Sequence, residues 1–208
     1  KKTKFTHSSY NFTAQTIDLY KYNINERCSD KSLKLKNILS KKINLTAAPN
    51  KFIYCTRNTG GGAMNGRKMQ SQNETMIIDL SKEYAVKHDL EFVVFDGYNK
   101  DESRISIMDQ AHLFSQAKIV TGPHGGAFAN IIHIPASNNC KVCEFTSGLR
   151  TAVQEVNNFG KNYNRLFGFA PETYLDYYLI PFEMGSDKNE TSINIENYKY
   201  FLNSIKLT

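Results

Sequence analysis

The chain has 208 residues, of which 40% are hydrophobic and 12% aromatic, which is enough to build the core of one ordinary domain and excludes global disorder. No apolar stretch approaches the roughly 18 residues that a membrane helix needs, so no membrane segment is predicted in this chain. The formal net charge of +6 is concentrated in residues 1–51, but the lysines there are spread over separate segments. We therefore do not predict nucleic acid as a partner.

Residues 1–50 are predicted to form an N-terminal segment that is mostly polar and irregular. Asp30 can cap a short helix over residues 31–43, whose leucines and isoleucines recur at helical spacing. We expect this segment to be the remnant of an N-terminal lobe, or a link to one. Residues 51–208 are predicted to form the main domain.

From residue 51 onward, short apolar runs alternate with stretches of helical periodicity. The runs that predict strands are 52–55, 92–95, 118–121, 142–145 and 177–180. Helical periodicity predicts a first helix that begins at residue 71. It predicts further helices over 105–116, 127–133, 151–159 and 194–206. This alternation predicts an α/β fold with a Rossmann-like, doubly wound parallel sheet, in which ligands bind at the carboxyl ends of the strands.

Two of the predicted helices carry more specific signals. Ser71 and Glu74 have the Ser-x-x-Glu spacing of a capping box, which places the start of the first helix at Ser71. The side chains expected on inner helix faces are Met76, Ile77, Leu80 and Tyr84 in the first helix, and Ile105, Met108, His112 and Phe114 in the second.

The four cysteines, Cys28, Cys55, Cys140 and Cys143, do not form a recognisable framework. Cys140 and Cys143 have the Cys-x-x-Cys spacing of a zinc or redox pair, but no second Cys/His pair follows at zinc-finger spacing. Because Cys143 falls within a predicted buried strand, we predict buried thiols, or a disulfide if the protein is secreted.

The segment most informative about chemistry is the turn Gly122-Pro123-His124-Gly125-Gly126, between a predicted strand and a predicted helix. Glycines let the backbone approach a ligand closely, and the free amides of a helix's first turn attract anions, which suits a diphosphate. The turn is neither the dinucleotide-binding fingerprint nor a P-loop. His124 can donate a hydrogen bond to a phosphate or act as an acid or base. Alternatively, it is a turn residue that only forms hydrogen bonds to backbone carbonyls.

Three further polar residues are predicted near this turn. Arg57 follows the first strand and can bind a phosphate through two hydrogen bonds, or form a surface salt bridge. Glu144 lies near the end of the fourth strand and can accept hydrogen bonds from a sugar hydroxyl, or pair with a neighbouring residue as a buried acid. Asn130 can hold the carbonyls of the glycine turn or contact the ligand.

Residues 52–148 resemble the core block of glycosyltransferase family 61. The family includes transferases that add GlcNAc to proteins and plant xylosyl- and arabinosyltransferases. Two spacings differ from the family pattern, because Arg67 lies further from Asn73 and an extra Gly126 precedes Ala127. The matching motifs are Tyr54-Cys55-Thr56-Arg57, Arg67 with Asn73-Glu74, Gln110 to Ala117, Gly122 to Asn130, and Val142-Cys143-Glu144.

The resemblance implies the C-terminal, donor-binding lobe of a GT-B enzyme. Such an enzyme transfers sugar from a UDP-sugar, with inversion, to a hydroxyl of a glycan or glycoprotein acceptor. It implies no cofactor and no metal, and the sequence contains no Asp-x-Asp pair to bind one. His124 is the local candidate for the catalytic base. The donor-binding residues that the resemblance implies are Arg57, Arg67, Gly122, His124, Gly125, Gly126, Asn130 and Glu144.

Two other interpretations remain open at this point. The domain could be a catalytically silent Rossmann-like scaffold or a sugar-binding domain. It could also be a Rossmann enzyme that uses NAD or S-adenosylmethionine, although the glycines at 60–62 have only Asp96 as an acidic ribose partner. The compartment depends on the source: the secretory-pathway lumen if eukaryotic, the cytoplasm if bacterial or viral.

Overall fold

A computed structural model describes residues 20–22, 48–59, 68–146, 176–184 and 190–207. The helices predicted over 31–43 and 151–159 and the glycine loop at 60–62 lie outside these residues. The strands are β1 (Tyr20–Tyr22), β2 (Lys51–Cys55), β3 (Lys68–Met69), β4 (Glu91–Phe95), β5 (Ala117–Pro123), β6 (Lys141–Thr146), β7 (Asp176–Met184) and β8 (Glu190–Ile193). The α-helices are α1 (Ser71–Lys87), α2 (Ile107–Ser115) and α3 (Ile195–Ser204); 3₁₀ helices cover Gly126–His133 and Ala136–Asn138.

The sheet confirms the prediction of an α/β fold with a mostly parallel sheet. Five parallel strands lie in the order β4-β2-β5-β6-β7. β8 extends the sheet as an antiparallel neighbour of β7, and β3 pairs in parallel with β8. The short strand β1 pairs antiparallel with β7. All five predicted strands are present, whereas β1, β3 and β8 were not predicted, since two to four residues carry too little periodicity.

The strand order places a topological switch point between β2 and β5. After β2, the chain forms the two-residue strand β3 at the far end of the sheet and then β4 on one side of β2; it next returns to the other side of β2 to form β5. In doubly wound sheets, this reversal opens a crevice at the carboxyl ends of the two strands. Registers of Tyr54 with Thr121 and of Gly122 with Glu144 align the ends of β2, β5 and β6 at this edge.

Each face of the sheet is covered by a separate layer of helices. Phe52 and Tyr54 of β2 face a core shared with α1 and α3, which contribute Ile77 and Phe201 among others. The alternate β2 residues face a second core that includes Phe114 of α2 and Phe128 of the 3₁₀ helix. Burial of β2 on both faces explains its continuous apolar sequence. None of the described helices is long and apolar enough to span a membrane.

Several local predictions differ from the structure. The segment predicted as a helix over 127–133 is a 3₁₀ helix, Gly126–His133. Helix α2 begins two residues later than predicted, after its N-cap Ser106. Its buried side chains are therefore Ala111, Phe114 and Ser115.

The inner faces of the first two helices were also predicted only in part. In α2, Met108 is 40% exposed and His112 is exposed as well. In α1, Met76 is 50% exposed, whereas Ile77 and Tyr84 are buried as predicted. A helical periodicity allows neighbouring residues to exchange the inner position, and the tertiary packing decides between them.

Candidate active site

The candidate active site lies at the carboxyl ends of β2, β5 and β6, beside the switch point. Arg57 follows β2 after one residue, His124 directly follows β5, and Glu144 lies within β6. The adjacent registers of these strands bring the three side chains to one edge of the sheet.

The imidazole of His124 is held by the carboxylate of Glu144. Nδ1 of His124 lies 2.6 Å from Oε1 of Glu144. The side chain of Glu144 is only 3% exposed, whereas that of His124 is 37% exposed. The main chain at this point is fixed as well, because the amide of His124 donates to the carbonyl of Phe145 at 2.7 Å. With Nδ1 engaged by the buried acid, Nε2 is the ring nitrogen that can meet a substrate.

Arg57 is buried against the turn that follows β5. The residue is 8% exposed, and its Nη1 donates to the backbone carbonyl of His124. Its side chain is therefore buried and does not lie on the surface, where the salt-bridge interpretation placed it. A buried guanidinium beside the histidine turn supplies a positive charge in a region of low dielectric, where electrostatic interactions are strong.

The glycines of the turn differ in what surrounds them. Gly122 has φ +143°, and a Cβ there would lie 2.3 Å from the carbonyl oxygen of Cys55, so β5 approaches the end of β2 too closely for a side chain. A Cβ on Gly125 would lie 2.6 Å from Nη1 of Arg57. A Cβ on Gly126 would have no atom within 4 Å, so this residue borders open space.

Asn130 supports the 3₁₀ helix that follows the turn. Its Nδ2 donates to the carbonyl of Ala127 at 3.1 Å and to Oε1 of Gln110 at 3.0 Å. Gln110 in turn donates through Nε2 to the carbonyl of Ile105 at 2.9 Å. These contacts connect α2 to the helix after the glycine turn. Asn130 was expected either to support the turn or to contact the ligand. Its described hydrogen bonds are of the kind that the first role requires.

Thr56 and Glu74 belong to motifs of the family resemblance, but neither was predicted to be a donor-binding residue. Glu74 is 8% exposed, and its Oε1 accepts hydrogen bonds from Oγ1 of Thr56 at 2.6 Å and from the hydroxyl of Tyr54 at 3.1 Å. The Ser-x-x-Glu spacing pointed to a capping box instead. That prediction was wrong: the N-cap of α1 is Gln70, and no side chain caps this terminus.

The structure thus brings together Arg57, His124, Glu144 and the glycine turn, with Asn130 behind it. Arg67, the remaining predicted donor-binding residue, lies outside the described residues.

The cysteines near the site are buried thiols. Cys55, Cys140 and Cys143 are free in the described part of the chain, and each is at most 1% exposed. Burial raises the pKa of all three thiols, with a further increase from the carboxylate of Glu144 at Cys55 and Cys143. Protonated thiols in apolar surroundings are poor nucleophiles and poor metal ligands. Cys28 lies outside the described residues.

Comparison with known proteins identifies the block that surrounds this site. A family model described as Glycosyltransferase 61 matches residues 12–143, which is more than half of the chain. The match covers the ends of β2 and β5 and all of α1 and α2, and Glu144 is the residue after its last position. A search of curated proteins finds no matching sequence.

Proposed function

Because the chain belongs to glycosyltransferase family 61, which implies glycosyltransferase activity, we propose that its sheet is the donor-binding lobe of an inverting, metal-independent GT-B enzyme. The donor is a UDP-sugar, and the acceptor is a hydroxyl of a glycan or glycoprotein. The observation that carries the proposal is the contact of His124 with the buried Glu144 at the switch point, beside Arg57 and an open glycine turn.

The donor diphosphate would lie at the start of the 3₁₀ helix. Gly126 borders open space there, and the first amides of a helix turn attract negative charge. Arg57 adds hydrogen-bond donors on the same side, and His124 adds one when its Nε2 is protonated. These groups would stabilise the charge that develops on the leaving UDP, which is the task that a metal ion performs in other transferases.

In the proposed reaction, the acceptor oxygen bonds to the anomeric carbon from the face opposite UDP. The bond from that carbon to the diphosphate oxygen breaks, UDP leaves with the electron pair, and the hydroxyl proton passes to a base. Glu144 accepts a hydrogen bond from Nδ1 of His124, which leaves Nε2 to face the substrate. An unprotonated Nε2 can take the acceptor proton, and a protonated Nε2 can donate a hydrogen bond to the diphosphate. His124 is the base candidate that this lobe offers.

Calorimetric titration of the 208-residue chain with UDP, GDP and NAD, in the presence of EDTA, tests the proposal. We expect UDP to bind with micromolar affinity, and we expect His124→Ala and Arg57→Ala to abolish this binding. Asp96→Asn serves as the control, because Asp96 lies at the end of β4 and makes contacts only to Thr59 and Tyr98 among the described ones.

Each other outcome points to a different function. A folded chain that binds none of the three nucleotides would favour the silent scaffold or sugar-binding domain. Binding of NAD alone, weakened by Asp96→Asn, would favour a dinucleotide-dependent Rossmann enzyme.

A further inference from the structure

We propose that Glu74 and Thr56 are positioning residues, which set the geometry of the donor site through Arg57. This inference rests on the proposed function, because it concerns the same site. The side chain of Glu74 is buried, and its Oε1 accepts hydrogen bonds from two hydroxyl groups, one on β2 and one on the residue after it.

The burial of Glu74 needs an explanation, because a carboxylate loses much of its solvation energy when it is removed from water. In a capping box, a glutamate three residues after the N-cap binds the helix's own terminus, but the N-cap here is Gln70, which lies four residues before Glu74. Here Oε1 instead accepts from Thr56 and Tyr54, while the end of α1 has no side-chain cap. The position of Glu74 in the first turn of α1 favours its negative charge.

Tyr54 remains a hydrogen-bond donor to this carboxylate under all ordinary conditions. Burial, together with the charge of Glu74 and its hydrogen bond, raises the pKa of the Tyr54 hydroxyl well above its usual value. The acid therefore keeps two protonated hydroxyl partners, both of which belong to the carboxyl end of β2 and the residue that follows it.

A chain of hydrogen bonds leads from Glu74 to both neighbours of Arg57. Thr56 donates to Glu74 and, through the same oxygen, accepts from the amide of Asn58 at 3.1 Å. Asn58 is held in turn by Met69, because its Oδ1 accepts from the Met69 amide and its Nδ2 donates to the Met69 carbonyl, both at 2.8 Å.

These contacts constrain the backbone on each side of Arg57. The guanidinium then donates to the carbonyl of His124, at the centre of the proposed site. Without the Thr56 hydroxyl, the backbone on either side of Arg57 would be less constrained. The hydrogen bond from Arg57 to the histidine turn would then weaken. Hence Thr56 and Glu74 would act on the donor through Arg57, without touching it.

The test compares Thr56→Val, which keeps the shape and removes the hydroxyl, with Thr56→Ser, which keeps the hydroxyl. Glu74→Gln, which removes the charge, is the third variant. Ser81→Ala is the matched control, because Ser81 is a buried hydroxyl of the same helix that contacts the Tyr198 hydroxyl and the Ile77 carbonyl at 2.7 Å, away from the site. Each variant is titrated with UDP by calorimetry, and the amide NMR signals of His124 and Gly125 are compared without ligand.

We expect Thr56→Val and Glu74→Gln to weaken UDP binding by about tenfold, as for a lost buried hydrogen bond to a charged group. Thr56→Ser should restore it to within about twofold, and Ser81→Ala should lower stability without changing the UDP affinity. In Thr56→Val, but not in Ser81→Ala, the amide signals of His124 and Gly125 should shift.

Two results would overturn the inference and leave the donor site intact: UDP affinity in Thr56→Val equal to that in Ser81→Ala, or unchanged amide signals at His124 and Gly125. Failure of the wild-type chain to bind UDP would instead overturn the proposed function. Even if UDP does not bind, the amide signals still show whether Thr56 is connected to the histidine turn. The two failures are therefore distinguishable.

Discussion

Two regions on the same edge of the sheet are built differently. One is the β2–β5 end, formed by the carboxyl ends of β2 and β5, and the other is the carboxyl end of β4. At the β2–β5 end, contacts cross between strands: Arg57 donates to the carbonyl of His124, and His124 contacts Glu144 of β6. At the β4 end, Asp96 accepts from the amide of Tyr98 two residues later at 2.9 Å, and its other described contact is a longer, exposed one from the hydroxyl of Thr59 at 3.3 Å. Glycines occur at both places.

This difference shows which part of the edge has a constrained geometry. Contacts between strands fix a side chain relative to the rigid sheet, whereas contacts within a turn fix it only relative to its own loop. The β2–β5 end also contains buried charged residues, which need several partners to be tolerated. We therefore expect substitutions at the β2–β5 end to have much larger effects than matched substitutions at the β4 end.

The largest effect is expected from a comparison of two glycines with positive φ. Gly122→Ala places a Cβ 2.3 Å from the Cys55 carbonyl and should destabilise the protein by about 3 kcal/mol or more. Gly97→Ala, at the β4 end, has the same type of backbone strain at φ +87° but no atom within 4 Å, and should cost about 1–2 kcal/mol. Urea denaturation measures both; equal midpoints would contradict the close approach of β5 to β2.

Glu144→Gln is expected to have the next largest effect, on turnover. A carboxamide can donate to Nδ1 of His124, which moves the ring proton to Nε2 and produces the wrong tautomer. The rate of UDP release from a mixture of UDP-sugars should fall by about 100-fold. In the matched variant Asp96→Asn, the rate should stay within about twofold. If the two variants lost activity equally, the histidine–glutamate contact would have no special role.

A smaller effect is expected from an added methyl group at Gly125. In Gly125→Ala, the new Cβ would displace the guanidinium of Arg57, 2.6 Å away, while the extended backbone of residue 125 tolerates a side chain. The Kd for UDP should rise by about tenfold. Gly126→Ala, which meets no neighbouring atom, is the control for stability, and its thermal midpoint should equal that of the wild type. A lower midpoint in Gly126→Ala would show that the turn is more crowded than described.

The smallest effect is expected at the opposite, amino-terminal edge of the sheet. Lys51 of β2 and Glu91 of β4 form an ion pair at 2.5 Å, with the Glu91 side chain 57% exposed. Lys51→Ala should cost less than about 1 kcal/mol, because water and salt screen such a pair. Denaturation at low and high salt measures this contribution. A cost equal to that of Gly122→Ala would remove the distinction between the two edges.

The main strands were predictable because each contains a short apolar run, even where the strand is partly exposed, as at Val94 of β4. Phe52-Ile53-Tyr54-Cys55 and Phe92-Val93-Val94-Phe95 are continuous apolar segments, and Ile119-Val120 forms a shorter one before Gly122. The order of the strands was not predictable in the same way, because no local pattern records which strands become neighbours. The switch point beside Arg57 and His124 emerged only from the pairing of β2 with both β4 and β5.

The site was predicted as a set of residues but not as a set of contacts. The glycine turn identified His124, and its strand position identified Glu144, yet the sequence could not show that the two side chains meet. The family resemblance included Glu74, but its contacts were missed for a physical reason: its local spacing fits a cap on its own helix, whereas its partners, Tyr54 and Thr56, lie 20 and 18 residues away. Short-range patterns cannot detect a contact at that separation.

The account depends most directly on whether UDP reaches His124. A two-dimensional ¹⁵N–¹H NMR spectrum of the histidine rings, recorded during a UDP titration in EDTA, tests this in the intact chain. The chain has five histidines, and the signal missing from His124→Gln identifies the relevant ring. We predict a saturable shift of the His124 ring nitrogens, with the other four rings unchanged. Saturable UDP binding that leaves the His124 signals in place would contradict the donor site proposed at the β2–β5 switch point.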